Sequence, residues 1–163
     1  AYGGSIENRL RFLMEITEAV VNTWSSDRVG VRLSPTNPIN DMRDSDPIAT
    51  ITKASEALNQ INLAYLHILE ALPGHMFAAQ GERVGPHMRK AFNGIFIVNG
   101  GYDAVKGAAA IDSNQADLVA YGVPFIANPD LPERYRTDAS LIEADPNTFF
   151  THEPKGYTDY PAL

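Results

Sequence analysis

Hydrophobic residues along this chain follow two spacings that alternate from one end to the other. Near the start, apolar residues recur every three or four positions, which is the period of one helix face. Farther on, short and nearly continuous apolar runs are typical of strands buried in a parallel sheet. The alternation predicts the order α-β-α-β-α-β-α-β-α. Strands are predicted within 28–34, 63–69, 94–98 and 116–121, between helices that include 6–21, 47–58, 83–92, 104–112 and a short segment after 130.

Polar residues mark the starts of three of these helices. Ser5 precedes the first one and is a favourable N-cap, with Glu7 near the positive end of the helix dipole. Asp46 followed by Pro47 is the usual order of a cap and a first helical residue. Asp130 is predicted to cap the short helix near the end of the chain.

Two architectures are compatible with this alternation. A parallel sheet with intervening helices is either an open doubly wound sheet or a β/α barrel. A complete barrel needs eight units and about 250 residues, whereas this chain has 163 residues and four predicted strands. We therefore expect one α/β domain over 1–163 that is either an open sheet or half of a barrel.

Composition narrows the class of protein. The net charge of −7 disfavours nonspecific nucleic-acid binding. No apolar run approaches the ~20 residues of a membrane helix, and charged residues interrupt the first one, so neither a membrane span nor a secretory signal is predicted. The chain contains no cysteine, which is compatible with the predicted location, a reducing cytoplasm. Its start at Ala1 rather than Met suggests a processed, cut or rearranged chain.

Glycines follow the last two predicted strands. Gly100 and Gly101 follow the third strand, and Gly122 follows the fourth. In parallel β/α proteins this edge of the sheet carries the ligand sites, and backbone N–H groups at a following helix start can bind a phosphate. Tight turns that simply end the strands explain the same glycines, and spacing alone leaves both interpretations open.

Arg32 lies within the apolar run of the first strand, two residues before Ser34. A buried arginine must meet an anion or strong acceptors. The residues alone favour a structural ion pair inside a barrel. Contact with an electron-rich cofactor or substrate is the functional alternative.

Other candidate chemistry is weak. His67 and Glu70 resemble a metal pair in spacing, but on a strand they point to opposite faces, so no metal site is predicted. The chain also lacks the usual nucleophile and phosphate-loop motifs. Met76 and Phe77 lie in a loop where they either cover a ligand or pack onto the end of the barrel.

Five sequence blocks occur in the order in which one known family carries them. They are Tyr2–Arg9 (YGGSIENR), Val29–Pro35 (VGVRLSP), Asn99–Gly101 (NGG), Leu118–Gly122 (LVAYG) together with Phe125–Leu131 (FIANPDL), and Gly156–Pro161 (GYTDYP). Together they resemble the C-terminal half of the old yellow enzymes, which are FMN-dependent ene-reductases. The resemblance spans essentially the whole chain. It implies strands five to eight of a TIM (β/α)8 barrel, with FMN at the carboxyl face.

The resemblance also implies cofactor contacts. Arg32 matches the arginine beside the flavin pyrimidine edge, where a guanidinium stabilises the anionic reduced flavin. Val123 stands where the family often has an arginine that reaches the phosphate, a contact worth roughly 1.5–3 kcal/mol, so backbone groups would hold the phosphate here. The implied cofactor-binding residues are Arg32, Asn99, Gly100, Gly101, Gly122, Val123, Phe149 and Phe150, and the implied substrate-pocket residues are Met76 and Phe77.

In the family, NAD(P)H reduces FMN, and the flavin hydride then adds to an activated alkene. The substrate-anchoring pair and the proton-donating tyrosine precede the Tyr2 block, so the resemblance implies no catalytic residue in this chain. We expect an enzyme only when an N-terminal half, most plausibly a second chain, completes the barrel. The alternatives are an inactive or self-associating half-barrel with at most residual FMN binding, and an unrelated phosphate-binding α/β domain.

Overall fold

Helices and strands alternate in the computed structural model, which describes residues 2–37, 39–76, 78–79 and 81–163. The elements are α1 (Ile6–Trp24), β1 (Gly30–Leu33), α2 (Pro47–Asn59), β2 (Tyr65–Leu69), α3 (Gly85–Ala91), β3 (Phe96–Asn99), α4 (Ala104–Asp112), β4 (Leu118–Val119), α5 (Val123–Ala127) and α6 (Leu131–Thr137). Short 3-10 turns lie at Ser26–Arg28, Ile39–Asp41 and Pro146–Thr148. The predicted alternation is confirmed, and α5 is a helix that the sequence pattern did not predict.

The four strands form one parallel sheet in the order β1-β2-β3-β4. Each strand is shorter than its apolar run. The start of the first apolar run belongs to the turn at Ser26–Arg28, so β1 begins only at Gly30. Of the last apolar run, only two residues are in a strand. The chain divides into two compact units, residues 1–120, which hold the whole sheet, and residues 121–163.

One face of the sheet carries the core of the first unit. Leu66 and Ile68 of β2 alternate with exposed or half-buried neighbours and are fully buried, as is Phe96 of β3. Gly85, at the start of α3, lies against Ile68 on this face. Each such buried apolar side chain contributes about 1.5–3 kcal/mol relative to its exposure. Other fully buried residues of this unit include Leu58, Val84, Met88 and Phe92.

The opposite face of the sheet is only partly covered. Arg32, His67, Ile97 and Leu118 lie in register across the four strands and therefore share this face. Leu118 is 51% exposed. In a closed barrel, residues at such positions point inward and are covered by the remaining strands.

α1 also has an apolar side that is open. Phe12, Ile16, Val20 and Trp24 follow one another at intervals of four residues, and all four are exposed. The stripe lies beside the side of α1 that holds the buried Thr17.

Two of the three predicted helix caps are confirmed. The Ser5 hydroxyl accepts a hydrogen bond from the Asn8 N–H at 3.4 Å, and the Asp46 carboxylate accepts one from the Ala49 N–H at 3.0 Å. Asp130 precedes α6, but its carboxylate makes no side-chain cap hydrogen bond with the helix start.

The second unit depends on polar side chains that tie distant backbone together. The Asp130 carboxylate accepts from Arg134 Nε and from the Leu163 N–H, both at 2.7 Å. Arg134 is itself buried and also donates to the Ser140 carbonyl at 2.7 Å. These bonds hold the end of the chain against α6. They use the carboxylate that the sequence had assigned to a cap.

Within the described residues, no helix combines the length and the apolar character needed to cross a membrane.

Candidate functional site

Arg32 reaches the carboxyl edge of the sheet from the penultimate position of β1. Its side chain is exposed, because it projects from the face that the helices leave uncovered. Its Nη2 donates to Asn99 Oδ1 at 3.4 Å. It forms no ion pair with any residue that the structure describes. The predictions of a buried arginine and of a structural ion pair are therefore wrong, and the guanidinium keeps an uncompensated charge.

Asn99 is the last residue of β3, and its side chain hydrogen-bonds to residues on either side of β3 in the sheet. Its Nδ2 donates to the Ala120 carbonyl, just after β4, at 2.6 Å. Its Oδ1 faces Arg32. The chain of contacts runs from β1 across β2 and β3 to the end of β4, so the sequence-predicted residues Arg32 and Asn99 are brought together.

His67 pairs with Arg32 in the parallel register of β1 and β2. Its Nε2 is buried, and no residue in the described part of the chain hydrogen-bonds to it. Burial, and secondarily the positive charge of Arg32, hold the pKa of His67 below its usual range. Its distance along the strand from Glu70 places the two residues on opposite faces, as the strand period predicts.

This lowered pKa predicts a loss of stability in mild acid. An unfolded histidine takes up a proton below a pKa of about 6.5, whereas folded His67 takes it up only at lower pH. The unfolded state therefore binds more protons in that window, and the free energy of unfolding falls as the pH falls. Urea unfolding of wild type and H67Q at pH 7.5 and pH 5.5 measures the effect. We expect a smaller acid loss in H67Q.

The exposed His152 supplies the matched control. H152Q is expected to keep the acid loss of the wild type. An H67Q variant with the same pH dependence as wild type would show that His67 is not responsible.

Gly100 and Gly101 follow β3 with left-handed φ angles of 124° and 85°. A Cβ on Gly100 would lie 2.5 Å from the Glu70 carbonyl oxygen, so no other residue fits at this close approach. Among the described residues, no acceptor takes a hydrogen bond from the N–H of either glycine. Two adjacent donors at the sheet edge are thus open to a ligand.

The helix start after these glycines is not open in the same way. α4 begins three residues beyond Gly101, and Asp103 caps it by accepting from the Lys106 N–H at 2.8 Å. That hydrogen bond is the main reason why the pKa of Asp103 is lowered. The carboxylate of Asp103 therefore occupies the first turn of α4, and an anion site after this strand stays a prediction. The glycine N–H groups remain available.

Gly122 and Val123 lie in the second unit, at the start of α5. Gly122 has a φ of −103°, which any residue adopts, and a Cβ there would meet no atom within 4 Å. Glycine at this position is therefore not required by the local backbone or packing. It leaves open space in front of the first turn of a helix of only five residues.

The predicted aromatic and loop residues differ in exposure. Phe149 is half-buried, whereas Phe150 is 94% exposed. Met76 is 85% exposed, so it neither covers a cavity nor packs onto the sheet. Phe77 lies outside the described residues.

Glu70 is a site residue that sequence reasoning considered only as a metal ligand. It follows β2, and its side chain is 4% exposed. Its carboxylate accepts from the Val84 N–H at 2.6 Å, the Gly85 N–H at 3.2 Å and Arg83 Nε at 3.0 Å. An acidic residue at the end of an apolar strand was the available signal, but its partners lie 13 to 15 residues away. Its function is to fix the start of α3 beside the sheet edge.

Cavities differ in size on the two sides of the sheet. A cavity of about 60 Å³ at the carboxyl edge is lined by Thr36, Asn37, Leu69, Ala71, His75 and Gly100. A larger one of about 250 Å³ is lined by residues of α3 and β3 and by residues just after α4, on the helix side of the sheet. Gly100 is the predicted cofactor-binding residue that lines the smaller one. No cluster of three potential metal ligands occurs among the residues described by the structure.

A sequence profile described as the NADH:flavin oxidoreductase / NADH oxidase family matches residues 1–141. The chain belongs to this flavin oxidoreductase family. The resemblance to the old yellow enzymes is thereby confirmed, and the interpretation as an unrelated phosphate-binding domain is wrong.

Individual relatives agree with this assignment. Putative 12-oxophytodienoate reductase 3 of Oryza sativa subsp. japonica is 47% identical over 99% of this chain and 43% of its own length. Putative 12-oxophytodienoate reductase 10 of the same plant is 45% identical over 100% of this chain and 54% of its own length. This chain spans about half the length of the curated relatives that it matches.

Solved structures confirm the α/β fold. Morphinone reductase superimposes with a TM-score of 0.91 at 45% identity, over 99% of this chain and 43% of its own. The old yellow enzyme homologue from Zymomonas mobilis superimposes with a TM-score of 0.96 at 39% identity, over 99% of this chain and 46% of its own. The four strands are therefore arranged as in part of these barrel enzymes.

Proposed function

We propose that this chain forms strands five to eight of the barrel of an FMN-dependent ene-reductase. With an N-terminal half, it reduces activated C=C bonds at the expense of NAD(P)H. One observation carries the proposal. In a member of a flavin oxidoreductase family, an unpaired guanidinium and the open N–H groups of Gly100 and Gly101 lie at the same edge of one sheet.

FMN, when bound, supplies the hydride chemistry. Arg32 holds a positive charge where the flavin pyrimidine edge would lie, which favours the anionic reduced form. Its planar fork suits this role better than a lysine ammonium does. Among the described residues no carboxylate pairs with Arg32, which supports the role because a carboxylate would cancel the charge.

Backbone groups are proposed to hold the phosphate. Gly100 and Gly101 offer donors without side chains, and the resemblance assigns Gly122 and Val123 to the same phosphate. Since Val123 cannot supply a cation, we expect FMN to be held less tightly than in relatives with an arginine there. Phe149 and Phe150 are proposed to lie near the flavin and the rim of the substrate pocket.

The proposal requires an N-terminal half of the barrel. Two observations support it: the chain matches about half the length of its relatives, and the cavity at the sheet edge is about 60 Å³, whereas ligand pockets usually measure about 300–1,000 Å³. The half would also supply the substrate anchor and the proton donor. A nicotinamide donor is supported by a morphinone reductase structure in complex with tetrahydroNAD.

The test compares the purified chain with the chain co-purified with an N-terminal half. We expect NADPH-driven enone reduction and flavin absorption only in the second sample, and intact-mass spectrometry identifies the second polypeptide. Turnover by this chain without any partner would contradict the split arrangement. A complemented barrel that neither binds FMN nor reduces enones would contradict the enzyme assignment itself.

Substitution of Arg32 measures its proposed role. In the complemented protein, R32M is expected to raise the FMN dissociation constant at least roughly tenfold. This corresponds to the lower end of the free energy of a charge-assisted hydrogen bond. R32K should fall between wild type and R32M, because it keeps the charge without the fork. Titration by quenching of FMN fluorescence gives the constants.

The exposed Arg28, just before β1, is the control. R28M is expected to leave the FMN dissociation constant within about twofold of wild type. Equal constants for R32M and R28M would remove Arg32 from the cofactor site.

The exposed apolar surface favours a second candidate, an inactive half-barrel that associates with itself. Tyr65 and Leu118 on the open sheet face and the α1 stripe of Phe12, Ile16, Val20 and Trp24 are exposed. Exposed apolar patches of this kind mark interaction surfaces. Light scattering after gel filtration would reveal a concentration-dependent dimer, and bound flavin in the monomer fraction would argue against this candidate.

A further inference from the structure

Hydrogen bonds connect Arg32, Asn99 and the Ala120 carbonyl at the sheet edge. Within this polar chain, Asn99 is bonded to protein groups rather than left open for a cofactor. Both ends of the Asn99 side chain are engaged by protein groups, Nδ2 by the Ala120 carbonyl at 2.6 Å and Oδ1 by Arg32 Nη2 at 3.4 Å. We propose that Asn99 is a positioning residue that holds the Arg32 guanidinium at the carboxyl edge of the sheet. The proposal rests on the proposed function, in which Arg32 contacts the flavin.

The orientation of the Asn99 amide is determined by its two neighbours. The Ala120 carbonyl can only accept a hydrogen bond, so Nδ2 must face it. Arg32 can only donate, so Oδ1 must face the guanidinium. A flipped amide would lose both bonds. The short bond to Ala120 therefore fixes the acceptor that Arg32 uses.

Arg32 needs such an acceptor because little else restrains it. Its side chain is exposed, and it has no carboxylate partner among the described residues. Its neighbour in the strand register is His67, whose Nε2 is buried without a partner. A long exposed side chain samples many rotamers, and a bond to a fixed acceptor removes that freedom. Asn99 supplies the acceptor from two strands away.

The neutrality of asparagine is central to this arrangement. A carboxylate at the same place would also hold the guanidinium, but it would cancel the charge that stabilises an anionic partner. An amide holds the group and leaves its charge available. Position and charge can therefore be separated by choosing the substitution.

Two substitutions separate these effects. N99L has nearly the same volume but no polar atoms, so it releases Arg32. N99D keeps the acceptor for Arg32, loses the donor to Ala120 and adds a negative charge. In the complemented, flavin-loaded protein we expect N99L to raise the FMN dissociation constant about three- to tenfold, which corresponds to the loss of one typical intramolecular hydrogen bond. N99D should lower the flavin reduction potential below the wild-type value.

A readout without flavin uses the ¹⁵N NMR signals of arginine side chains in the full chain, with Arg32 assigned by its absence in R32K. We expect rotation of the Arg32 guanidinium to be at least severalfold faster in N99L than in wild type. It should stay slow in N99D, because the acceptor remains. If Asn99 only secured the Ala120 carbonyl, N99D and N99L would behave alike, and the proposal would be overturned.

Asn93 is the matched control, because it is an exposed asparagine just before β3, at the opposite edge of the sheet. N93L is expected to change neither the dynamics of Arg32 nor FMN binding. If N99L does not fold, N99A replaces it with the same expected direction. Failure of the wild-type protein to bind FMN would refute the proposed function, whereas the NMR comparison would still decide whether Asn99 positions Arg32.

Discussion

Replacement of Glu70 by alanine is expected to lower the free energy of unfolding by about 3 kcal/mol, at the lower end for loss of one partner of a buried ion pair. The Glu70 side chain is 4% exposed, and its carboxylate accepts from two backbone N–H groups and from Arg83. Alanine would leave the N–H groups of Val84 and Gly85 buried without an acceptor. Arg83 is partly exposed and can regain water, which keeps the loss from being larger. Urea unfolding followed by circular dichroism measures the change.

Glu82 is the control for this variant. Its side chain is 68% exposed and pairs with His87, so E82A is expected to change the free energy of unfolding by less than about 0.5 kcal/mol. E70Q should fall between E70A and wild type, because one amide oxygen still accepts hydrogen bonds. A loss below about 1 kcal/mol in E70A would contradict the view that Glu70 fixes the start of α3.

Local sequence signals predicted the elements well because their causes are local. A helix period or a continuous apolar run is set by residues within one element, so the alternation and the parallel sheet followed from spacing alone. The helix caps show the limit of prediction from local sequence. Ser5 and Asp46 find their partners three residues ahead. Asp130 instead binds Arg134 and the Leu163 N–H, which is 33 residues away. Local sequence cannot show that a partner so distant along the chain takes the carboxylate away from the helix start.

The candidate site was predicted in part for the same reason. Gly100 and Gly101 could be placed at the edge of the sheet because strand ends are local features. The environment of Arg32 could not be predicted, because an apolar strand is equally compatible with a covered and an uncovered face. That difference arises from how the elements cover one another rather than from the residues within one element.

The first unit has exposed apolar surfaces, and the chain matches only about half the length of its relatives. The two observations are consistent with each other. Leu118, on the uncovered face of the sheet, and Trp24, on α1, are both exposed. Apolar surface in these places is expected when the sequence is adapted to partners that are absent from the described chain. The same surface accounts for both proposed functions, since it can be covered by an N-terminal half or by a second copy.

Replacement of Asn128 by leucine is expected to lower the stability of the second unit by about 3 kcal/mol, because three half-buried backbone groups would lose their partner at roughly 1 kcal/mol each. Asn128 is fully buried. Its Nδ2 donates to the carbonyls of Pro124 and Ile142 at 2.8 and 2.9 Å, and its Oδ1 accepts from the Ile142 N–H at 2.8 Å. Leucine fits the volume but satisfies none of these groups. Hydrogen exchange monitored by mass spectrometry would report the loss as faster exchange within 121–163.

Asn147 offers a comparison within the same unit, because it is exposed and its Nδ2 bonds only to the nearby Asp145 carboxylate. N147L is expected to leave exchange in 121–163 within about twofold of wild type, since a surface substitution usually changes stability by less than about 0.5 kcal/mol. Hydrogen exchange within 1–120 tests whether the two units unfold together. If the two units unfold independently, N128L leaves exchange there unchanged, whereas a parallel increase would show that they unfold together. Unchanged exchange in both ranges would mean that the Asn128 hydrogen bonds contribute little to stability.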